Sequence, residues 1–273
     1  MTWWTHFGCT DVPFSKEVGD HDLWLPPSKQ ALVDELVTAA REKRSTVLTG
    51  EPGVGKTCVL RAARQQLPQA GFRLTYCHNA TLGRRDFYRQ LCLALGLSPS
   101  ATAAGVFYAV TTHVHDLGKD RMHPVFLLDE AHLLHQDTLD HLHILLNYEW
   151  DAKALLSVVL VGLPELRDRL ALRRNRSLYS RLHTRLAVDS LTPADTADYL
   201  RQRLVRTGCD RDVFTTDAAA ILHEATLGAM RDLDRLASAA MRHAARASAR
   251  LIERDAVLAV IDDVGQGREG ARA

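Results

Sequence analysis

Apolar positions follow one rhythm up to about residue 190 and another after it. In the first part, short and largely apolar runs are separated by longer segments in which apolar residues recur every three or four positions. Because a strand buried on both faces needs no polar alternation, such runs are typical of a parallel sheet. The predicted strands are 45–50 (STVLTG), 72–79 (FRLTYCHN, which alternates), 124–130 (PVFLLDE) and 155–162 (LLSVVLVG).

Segments with helical spacing lie between these runs. The predicted helices are 28–44, with Ser28 as its cap, 56–67, and 84–97, which Gly96 closes. Strands that alternate with helices predict a doubly wound α/β layer. The pattern alone therefore predicts the fold class α/β.

Beyond Leu191 the sequence offers no strand candidate, and every periodic segment is helical. These segments are 192–205, 215–226, 229–246 and 253–263. The change predicts a domain boundary near residue 190. We expect residues 1–190 to form an α/β core that includes an irregular aromatic lead-in, residues 191–264 to form a small all-helical domain, and residues 265–273 to form a disordered tail.

Composition narrows the class of protein. The 273 residues carry a formal net charge of +1, with 46% hydrophobic and 25% charged residues, as is usual for a soluble globular protein. Any contact with nucleic acid must therefore come from local positive charge. The five cysteines form no CxxC pair, which argues against a disulfide framework or a zinc ribbon and favours a reducing cytoplasm. We expect no membrane contact, because there is no signal-peptide pattern and no apolar run of the ~20 residues that a membrane helix needs.

The segment GEPGVGKT at residues 50–57 carries the clearest chemical signal. It fits the pattern G-x-x-x-x-G-K-[ST] between a predicted strand and a predicted helix, the context that a phosphate-binding loop requires. Backbone amides and the helix start would face the phosphates, Lys56 would reach the β and γ phosphates, and Thr57 would hold Mg²⁺. The predicted cofactors are ATP and Mg²⁺, and the predicted nucleotide contacts are Gly50, Glu51, Pro52, Gly53, Val54, Gly55, Lys56, Thr57 and Cys58.

The run VFLLDE ends in two carboxylates, Asp129 and Glu130. Beside a phosphate loop, this pair predicts that Asp129 contacts the nucleotide's Mg²⁺ and that Glu130 polarises the attacking water. The alternative is a solvated helix cap. The letters DEAH also spell a helicase box, but the chain length leaves no room for a second motor domain. Asn79, at the end of the preceding strand, either holds Glu130 away from water or is a plain polar strand end.

Four histidines follow the acidic pair within a few helical turns: His132, His135, His141 and His143. The first two share a helix face at i, i+3 spacing, but no cysteine or carboxylate is placed as a third metal ligand. Surface or core histidines are therefore favoured over a metal site.

Seven arginines against one acid crowd the segment 167–185. The segment is either a solvated basic face or a surface that meets the γ-phosphate of a neighbouring subunit, where an arginine supplied in trans stabilises charge. Arg181 is the first candidate for that role and Arg185 the second. Arg231, at the start of a predicted helix, either senses the nucleotide or pairs with a neighbouring aspartate.

A further basic cluster lies in the loop HNATLGRRDFYRQ. Its residues Thr81, Arg84 and Arg85 are the predicted contacts to the phosphate backbone of double-stranded DNA, which carries most non-specific affinity. The alternative is an ordinary polar helix start.

Taken together, these residues resemble the AAA+ ATPases, and within them the ExeA-type branch. The similarity spans roughly residues 3–263 and rests on FGCTDVPFS, LTGEPGVGKT, VFLLDEAHLL, LSVVLVGLPEL and GAMRDLDRL. That branch contains secretion ATPases and the transposition helpers called TniB and TnsC. The resemblance implies an AAA+ P-loop core with a parallel sheet, a helical lid domain, nucleotide at subunit interfaces, and a homo-oligomeric ring or helical filament.

One departure concerns the polar residue that the branch commonly has after the glycine of VGLPEL, where this chain has Leu163. The resemblance therefore implies slow hydrolysis or a substitute such as Ser157. Secretion members usually continue into a membrane segment and a cell-wall-binding domain, neither of which this sequence contains. We therefore expect an ATPase that regulates DNA transposition: it oligomerises on duplex DNA, recruits a transposase and disassembles on hydrolysis. The alternative is a secretion-type ATPase that acts on a protein partner without DNA.

Overall fold

The computed structural model of the chain describes residues 2–77, 83–98, 102–147 and 153–269. Within these ranges the chain divides into two compact units. The α/β unit contains Pro27–Glu51 and Lys56–Val188. The helical unit contains the residues up to Pro26, the short segment Pro52–Gly55, and the residues from Asp189 onward.

A five-stranded sheet in which all neighbours are parallel forms the centre of the α/β unit, in the order β2-β3-β4-β1-β5. Every residue of β1, β3 and β4 is buried, as the apolar runs predict. The α/β fold class with a parallel sheet is therefore confirmed. The strands are β1 Ser45–Thr49, β2 Phe72–Cys77, β3 His123–Leu128, β4 Ser157–Gly162 and β5 Leu182–Ala187.

The fifth strand, β5, was not among the predicted strands. It pairs with β1 alone and so lies at one edge of the sheet. Along it, buried or half-buried residues alternate with exposed ones, so one face stays in water. His183 and Arg185 lie on the exposed face of this edge strand. A charged residue is tolerated there because an edge strand has one face in water, so an arginine-rich segment can still form a strand.

Among the described residues of the α/β unit, seven helices connect and cover the strands of the sheet. The three predicted ones are present, and α1 ends at Arg41 shortly before Lys43, whose φ of 57° belongs to the left-handed region. The helices are α1 Pro27–Arg41, α2 Lys56–Gln66, α3 Arg84–Ala94, α4 Ala103–Lys119, α5 Gln136–Leu145, α6 Glu165–Ala171 and α7 Arg176–Tyr179.

Four helices make up the carboxyl-terminal part of the helical unit, in agreement with the absence of strand patterns there. The first begins with a capping box: the Thr192 hydroxyl accepts from the Asp195 amide, the Asp195 carboxylate accepts from the Thr192 amide, and Pro193 takes the first helical position. The helices are α8 Pro193–Val205, α9 Thr216–Thr226, α10 Met230–Arg246 and α11 Arg254–Glu269.

The aromatic lead-in packs into the helical unit, whereas the domain prediction placed it with the α/β core. The Thr10 amide donates to the Thr207 carbonyl at 2.8 Å, and the Arg203 guanidinium donates to the Ser15 carbonyl. Phe14 meets Phe214 edge-on with ring centroids 6.1 Å apart. These contacts give the lead-in a buried face, so it belongs to the helical unit in structure although it comes first in sequence.

The carboxyl-terminal helix α11 continues through Glu269. Residues 265–269 are therefore helical, in contrast to the disordered tail expected from residue 265 onward. None of the helices in the described part of the chain combines the length and the apolar character that crossing a bilayer requires.

Candidate functional site

Three sequence motifs meet at the carboxyl edge of the sheet. Gly50 follows β1, Asp129 follows β3, and Gly162 ends β4, which lies between those two strands. The Gly50 amide donates to the Gly162 carbonyl at 3.2 Å, and Thr49 is in register with Gly162. Because carboxyl ends of parallel strands share one edge, the phosphate loop and the acidic pair come together there, where ligands bind in open α/β sheets.

The phosphate loop has the charge and the donors that a triphosphate needs. The Lys56 ammonium group donates to the carbonyls of Gly50 at 2.7 Å and Glu51 at 3.0 Å, so it lies folded over the start of the loop. Helix α2 begins at Lys56, which directs its first backbone amides and the positive end of its dipole out of the helix start. Gly53 and Gly55 have φ values of 82° and 102°, the conformations that only glycine adopts without strain. These groups fit a bound nucleotide.

Within the helical unit, Arg231 contacts the middle of the phosphate loop through its backbone. Its amide donates to the Gly53 carbonyl at 3.2 Å. A methyl group at Gly53 would lie 3.0 Å from the Arg231 Cβ atom, so glycine permits this approach. The neighbouring aspartates on α10 have other partners: Asp232 pairs with Arg235, and Asp234 pairs with Arg203. The start of α10 is thus attached to the loop, as a sensor of the nucleotide would need to be.

The Asp129 carboxylate is held by two donors at the end of β3. The Tyr76 hydroxyl donates to Asp129 Oδ2 at 2.7 Å, and the Glu130 amide donates to Asp129 Oδ1 at 2.9 Å. Partial desolvation of the Tyr76 hydroxyl, on a residue that is still 49% exposed, and the adjacent Asp129 carboxylate raise the pKa of the tyrosine hydroxyl above its usual range. Tyr76 therefore stays protonated and keeps donating to Asp129. The prediction did not include Tyr76, because its contact depends on β2 lying beside β3.

Glu130 stands at a backbone position that turns its carboxylate out of the sheet. Its φ of 52° and ψ of 35° are left-handed, an uncommon conformation for a residue other than glycine. Its side chain is half exposed, and Oε2 lies 3.5 Å from Nδ1 of His132. The carboxylate is thus accessible to water and lies close to the imidazole of His132.

For His132 the sequence favours a surface or core histidine over a metal ligand, and the structure gives its environment. It belongs to the short 3-10 helix Ala131–Leu133, and its side chain is mostly buried. The Leu163 amide donates to its Nδ1 atom at 3.4 Å, and the Arg169 guanidinium donates to its carbonyl at 2.9 Å. No group of three or more His, Cys, Asp or Glu side chains within the described ranges is arranged to hold a metal ion. His132 thus lies between the Glu130 carboxylate and the residue that follows β4.

Ser157 does not replace the polar residue missing at Leu163. It begins β4, whereas Leu163 follows the last residue of that strand, which places the two roughly 20 Å apart at the usual rise per strand residue. The Ser157 hydroxyl is fully buried and lies 2.8 Å from Nε2 of His123. The suggestion that Ser157 substitutes for a polar sensor was therefore wrong.

The two candidate trans-acting arginines lie on or before the edge strand. Arg181 precedes β5 and so stands at the amino edge of the sheet, opposite the phosphate loop; its guanidinium donates to the Ser177 carbonyl at 3.0 Å. Arg185 is exposed within β5, and its guanidinium covers the ring of Tyr179 at 3.8 Å. Neither residue is beside the acidic pair of its own chain, so a catalytic role requires a neighbouring subunit.

The predicted DNA contacts are described only in part. Arg84 is half-buried, and its guanidinium lies 2.8 Å from Nε2 of His141 on α5. Arg85, next to it in the first turn of α3, is exposed. Thr81 and Asn79 lie outside the described residues. The structure therefore offers the Arg85 side chain to solvent more fully than that of Arg84.

The sequence matches one protein-family model and is similar to a curated protein. Residues 39–170 match the family model described as an AAA domain. The chain is 32% identical over 268 residues to General secretion pathway protein A of Aeromonas hydrophila, covering 97% of this chain and 49% of that protein. It thus spans about half the length of the curated relative it matches.

Solved structures with the same fold include two proteins described in complex with DNA. The Drosophila ORC structure, solved bound to DNA, matches with a TM-score of 0.70 at 17% identity, over 95% of this chain and 65% of that one. The Aeropyrum pernix ORC1 protein, solved in complex with DNA, matches with a TM-score of 0.68 at 18% identity, over 93% of this chain and 68% of that one. At these identities the likeness establishes the fold.

Proposed function

The chain contains an AAA-family ATPase domain, and from that premise we propose that it binds ATP with Mg²⁺, hydrolyses it, and uses the cycle as an assembly switch. The observation that carries this proposal is the meeting of Lys56, Asp129 and Glu130 at one edge of the sheet. A cationic amine, a metal-binding carboxylate and a half-exposed carboxylate are the groups that phosphoryl transfer to water requires.

Each group has a defined task in this scheme. Lys56 exchanges its two carbonyl partners for β and γ phosphate oxygens, and Glu130 orients the attacking water and takes its proton. The Thr57 hydroxyl and the Asp129 carboxylate would hold Mg²⁺, which when bound would neutralise charge on the phosphates. Asn79 restrains Glu130, Arg231 reports the nucleotide to the helical unit, and an arginine of the next subunit, Arg181 or Arg185, completes the site.

Tyr76 competes with the metal for Asp129 in this scheme. We expect Tyr76→Phe to lower the Mg²⁺ concentration for half-maximal turnover about 3-fold, because the variant loses a hydrogen bond to the carboxylate that must otherwise be broken. A Mg²⁺ titration at fixed ATP measures the shift. Tyr108→Phe, at a tyrosine that is 72% exposed on α4, is the matched control and should leave the titration unchanged. An unchanged midpoint in Tyr76→Phe would show that the hydroxyl does not oppose the metal.

The role that we propose for the switch is regulation of DNA transposition. In this role the ATP-loaded chain forms a homo-oligomer on duplex DNA and recruits a transposase, and hydrolysis releases it. Supporting features are the exposed Arg85 at the start of α3 and the resemblance of the chain to the transposition helpers. The fold is also that of two proteins solved with DNA, which is compatible with this role.

A secretion-type ATPase that acts on a protein partner without DNA is the second candidate. The specific observation in its favour is the 32% identity to General secretion pathway protein A over 97% of the chain. The two candidates share the nucleotide site and differ in the ligand that stimulates turnover. The experiment that distinguishes them therefore measures binding to DNA, and not the rate of ATP hydrolysis by the chain alone.

The decisive experiment combines duplex DNA of arbitrary sequence with a slowly hydrolysed ATP analogue. Under the transposition role we expect a gel shift and ordered assemblies in negative stain with the analogue, and neither with ADP. Lys56→Ala, which removes the ammonium group, should not assemble. DNA-independent turnover with no gel shift in any nucleotide would remove the transposition role and favour the secretion role.

Salt dependence tests which arginine meets the phosphate backbone. We expect Arg85→Ala to weaken binding across all sequences and to lower the slope of log affinity against log salt by about 1, the value for one lost phosphate contact. Arg84→Ala should change the slope less, because the Arg84 guanidinium already faces His141. Affinity measured at several salt concentrations separates the two variants, and equal slopes in both would contradict this assignment.

A further inference from the structure

The imidazole of His132 occupies the place where the end of β4 meets the acidic pair. Gly162 makes this possible: a methyl group there would lie 3.1 Å from the His132 backbone nitrogen and 3.2 Å from its Nδ1 atom. The Arg169 guanidinium fixes the backbone of the same residue through its carbonyl. The backbone at His132 is therefore fixed, the ring lies close to Gly162, and the side chain is only 15% exposed.

One atom of this ring, Nδ1, faces both a donor and an acceptor. The Leu163 amide donates to it at 3.4 Å, and the Glu130 carboxylate lies 3.5 Å from it. A ring nitrogen carries either a lone pair or a proton. It can therefore accept from the amide of Leu163 or donate to the carboxylate of Glu130, but it cannot do both at once.

The side chain at Leu163 provides no polar atom at the end of β4, although phosphoryl transfer to water needs the catalytic carboxylate to be oriented. We propose that His132 is the positioning residue for Glu130 and supplies through Nδ1 the polar group that Leu163 lacks. The inference rests on the proposed ATP hydrolysis. It assigns to this histidine no contact with the nucleotide itself.

Positioning acts on the step in which water attacks the γ-phosphorus. A bond forms between the water oxygen and phosphorus, the bond to the bridging oxygen breaks, ADP leaves with that oxygen, and the Glu130 carboxylate takes the proton of the water. The Glu130 side chain is half exposed, and a donor at Nδ1 of His132 restricts its carboxylate to one region. When Nδ1 instead accepts from Leu163, that restriction is absent.

Kinetics of the full-length chain with Mg²⁺ and ATP test the inference. We expect His132→Phe to lower kcat about 10-fold or more and to leave KM for ATP within about 2-fold, because it removes orientation and not substrate binding. ATP affinity, measured by calorimetry without turnover, should also stay unchanged. His132→Asn should recover most of the loss, since its amide places a donor or an acceptor near the position of Nδ1.

Two further variants distinguish a general structural effect of the substitution from a loss of positioning at Glu130. His135→Phe makes the same change at an exposed histidine three residues on and should match the parent chain. In a Glu130→Gln background, His132→Phe should cause no further loss, because two residues that act as one unit are not additive. Full activity in His132→Phe, equal loss in His132→Asn, or additive losses would each overturn the inference.

Failure of the proposed hydrolysis would look different. If the parent chain neither binds nor turns over ATP, the proposed function itself fails. If Glu130→Gln turns over normally, ATP hydrolysis stands but Glu130 is not its base, and the role of His132 fails with that assignment. If Glu130→Gln is inactive while His132→Phe is fully active, only the role of His132 fails.

Discussion

Replacing Glu130 with glutamine is expected to lower kcat for ATP at least about 100-fold, the usual lower bound for losing a general base. The amide keeps the size of the side chain and its left-handed backbone position, but it cannot accept the proton of the attacking water. Lys56 and Asp129 remain in place, so ATP affinity should change by no more than about 2-fold. The variant should therefore bind nucleotide and stay in its ATP-loaded state.

Phosphate release under saturating Mg²⁺ and ATP measures the loss, and calorimetry measures the affinity. Glu42→Gln is the control for the chemical change: Glu42 forms a surface ion pair with Arg44 at 2.9 Å, and such pairs contribute little. It should leave both quantities unchanged. If Glu130→Gln retains turnover, the base is another group, such as a different carboxylate.

The same variant also distinguishes the proposed cellular roles. A chain that assembles on duplex DNA only with ATP should remain there when hydrolysis is blocked, whereas the parent chain should dissociate as ATP is consumed. A secretion-type ATPase would show the kinetic defect without any change on DNA. The length of the sequence does not decide between these roles, because the chain spans about half of its secretion relative.

Burial explains which strands the sequence predicts and which it does not. Strands β1, β3 and β4 are buried throughout, so their apolar runs stand out. The edge strand β5 exposes every second side chain, and its histidine and arginine give it the composition of a surface segment. Helix α4 was also missed, although Val106, Val110 and Val114 at intervals of four are fully buried in the core. Packing of that stripe outweighs the weak helix propensity of valine.

Some residues of the candidate site can be predicted from local sequence motifs, whereas others are recognised only from the tertiary structure. Motif spacing places Lys56, Asp129 and Glu130 at the carboxyl ends of strands, and a parallel sheet then gathers them. The contacts of Tyr76 and His132 depend on which strands are neighbours and on the missing side chain of Gly162. Such contacts leave no periodic signal in the sequence. Gly162 at the end of β4 indicates a close approach of His132 only when the order of the strands is known.

The largest stability effect is expected at Gly228, in the turn between α9 and α10. Its φ of 72° already disfavours any residue with a side chain, and an added methyl group would lie 2.2 Å from the Leu191 carbonyl oxygen. The two residues are bound to each other, since the Leu191 amide donates to the Gly228 carbonyl at 3.0 Å. The backbone of Leu191, a buried residue, cannot withdraw without losing this bond. We expect Gly228→Ala to lower the free energy of unfolding by about 3 kcal/mol or more.

Gly208 provides the comparison that separates the steric clash from backbone strain. It lies in the same unit with a φ of 83°, but an added methyl group would meet only the Thr10 methyl at 3.6 Å, an ordinary contact. Gly208→Ala should therefore cost only the strain of the left-handed conformation, about 1 kcal/mol. Denaturant titrations of the two variants give the difference directly. Equal losses would mean that the Leu191 carbonyl yields to the methyl group and that the junction between Leu191 and the turn before α10 is softer than its geometry indicates.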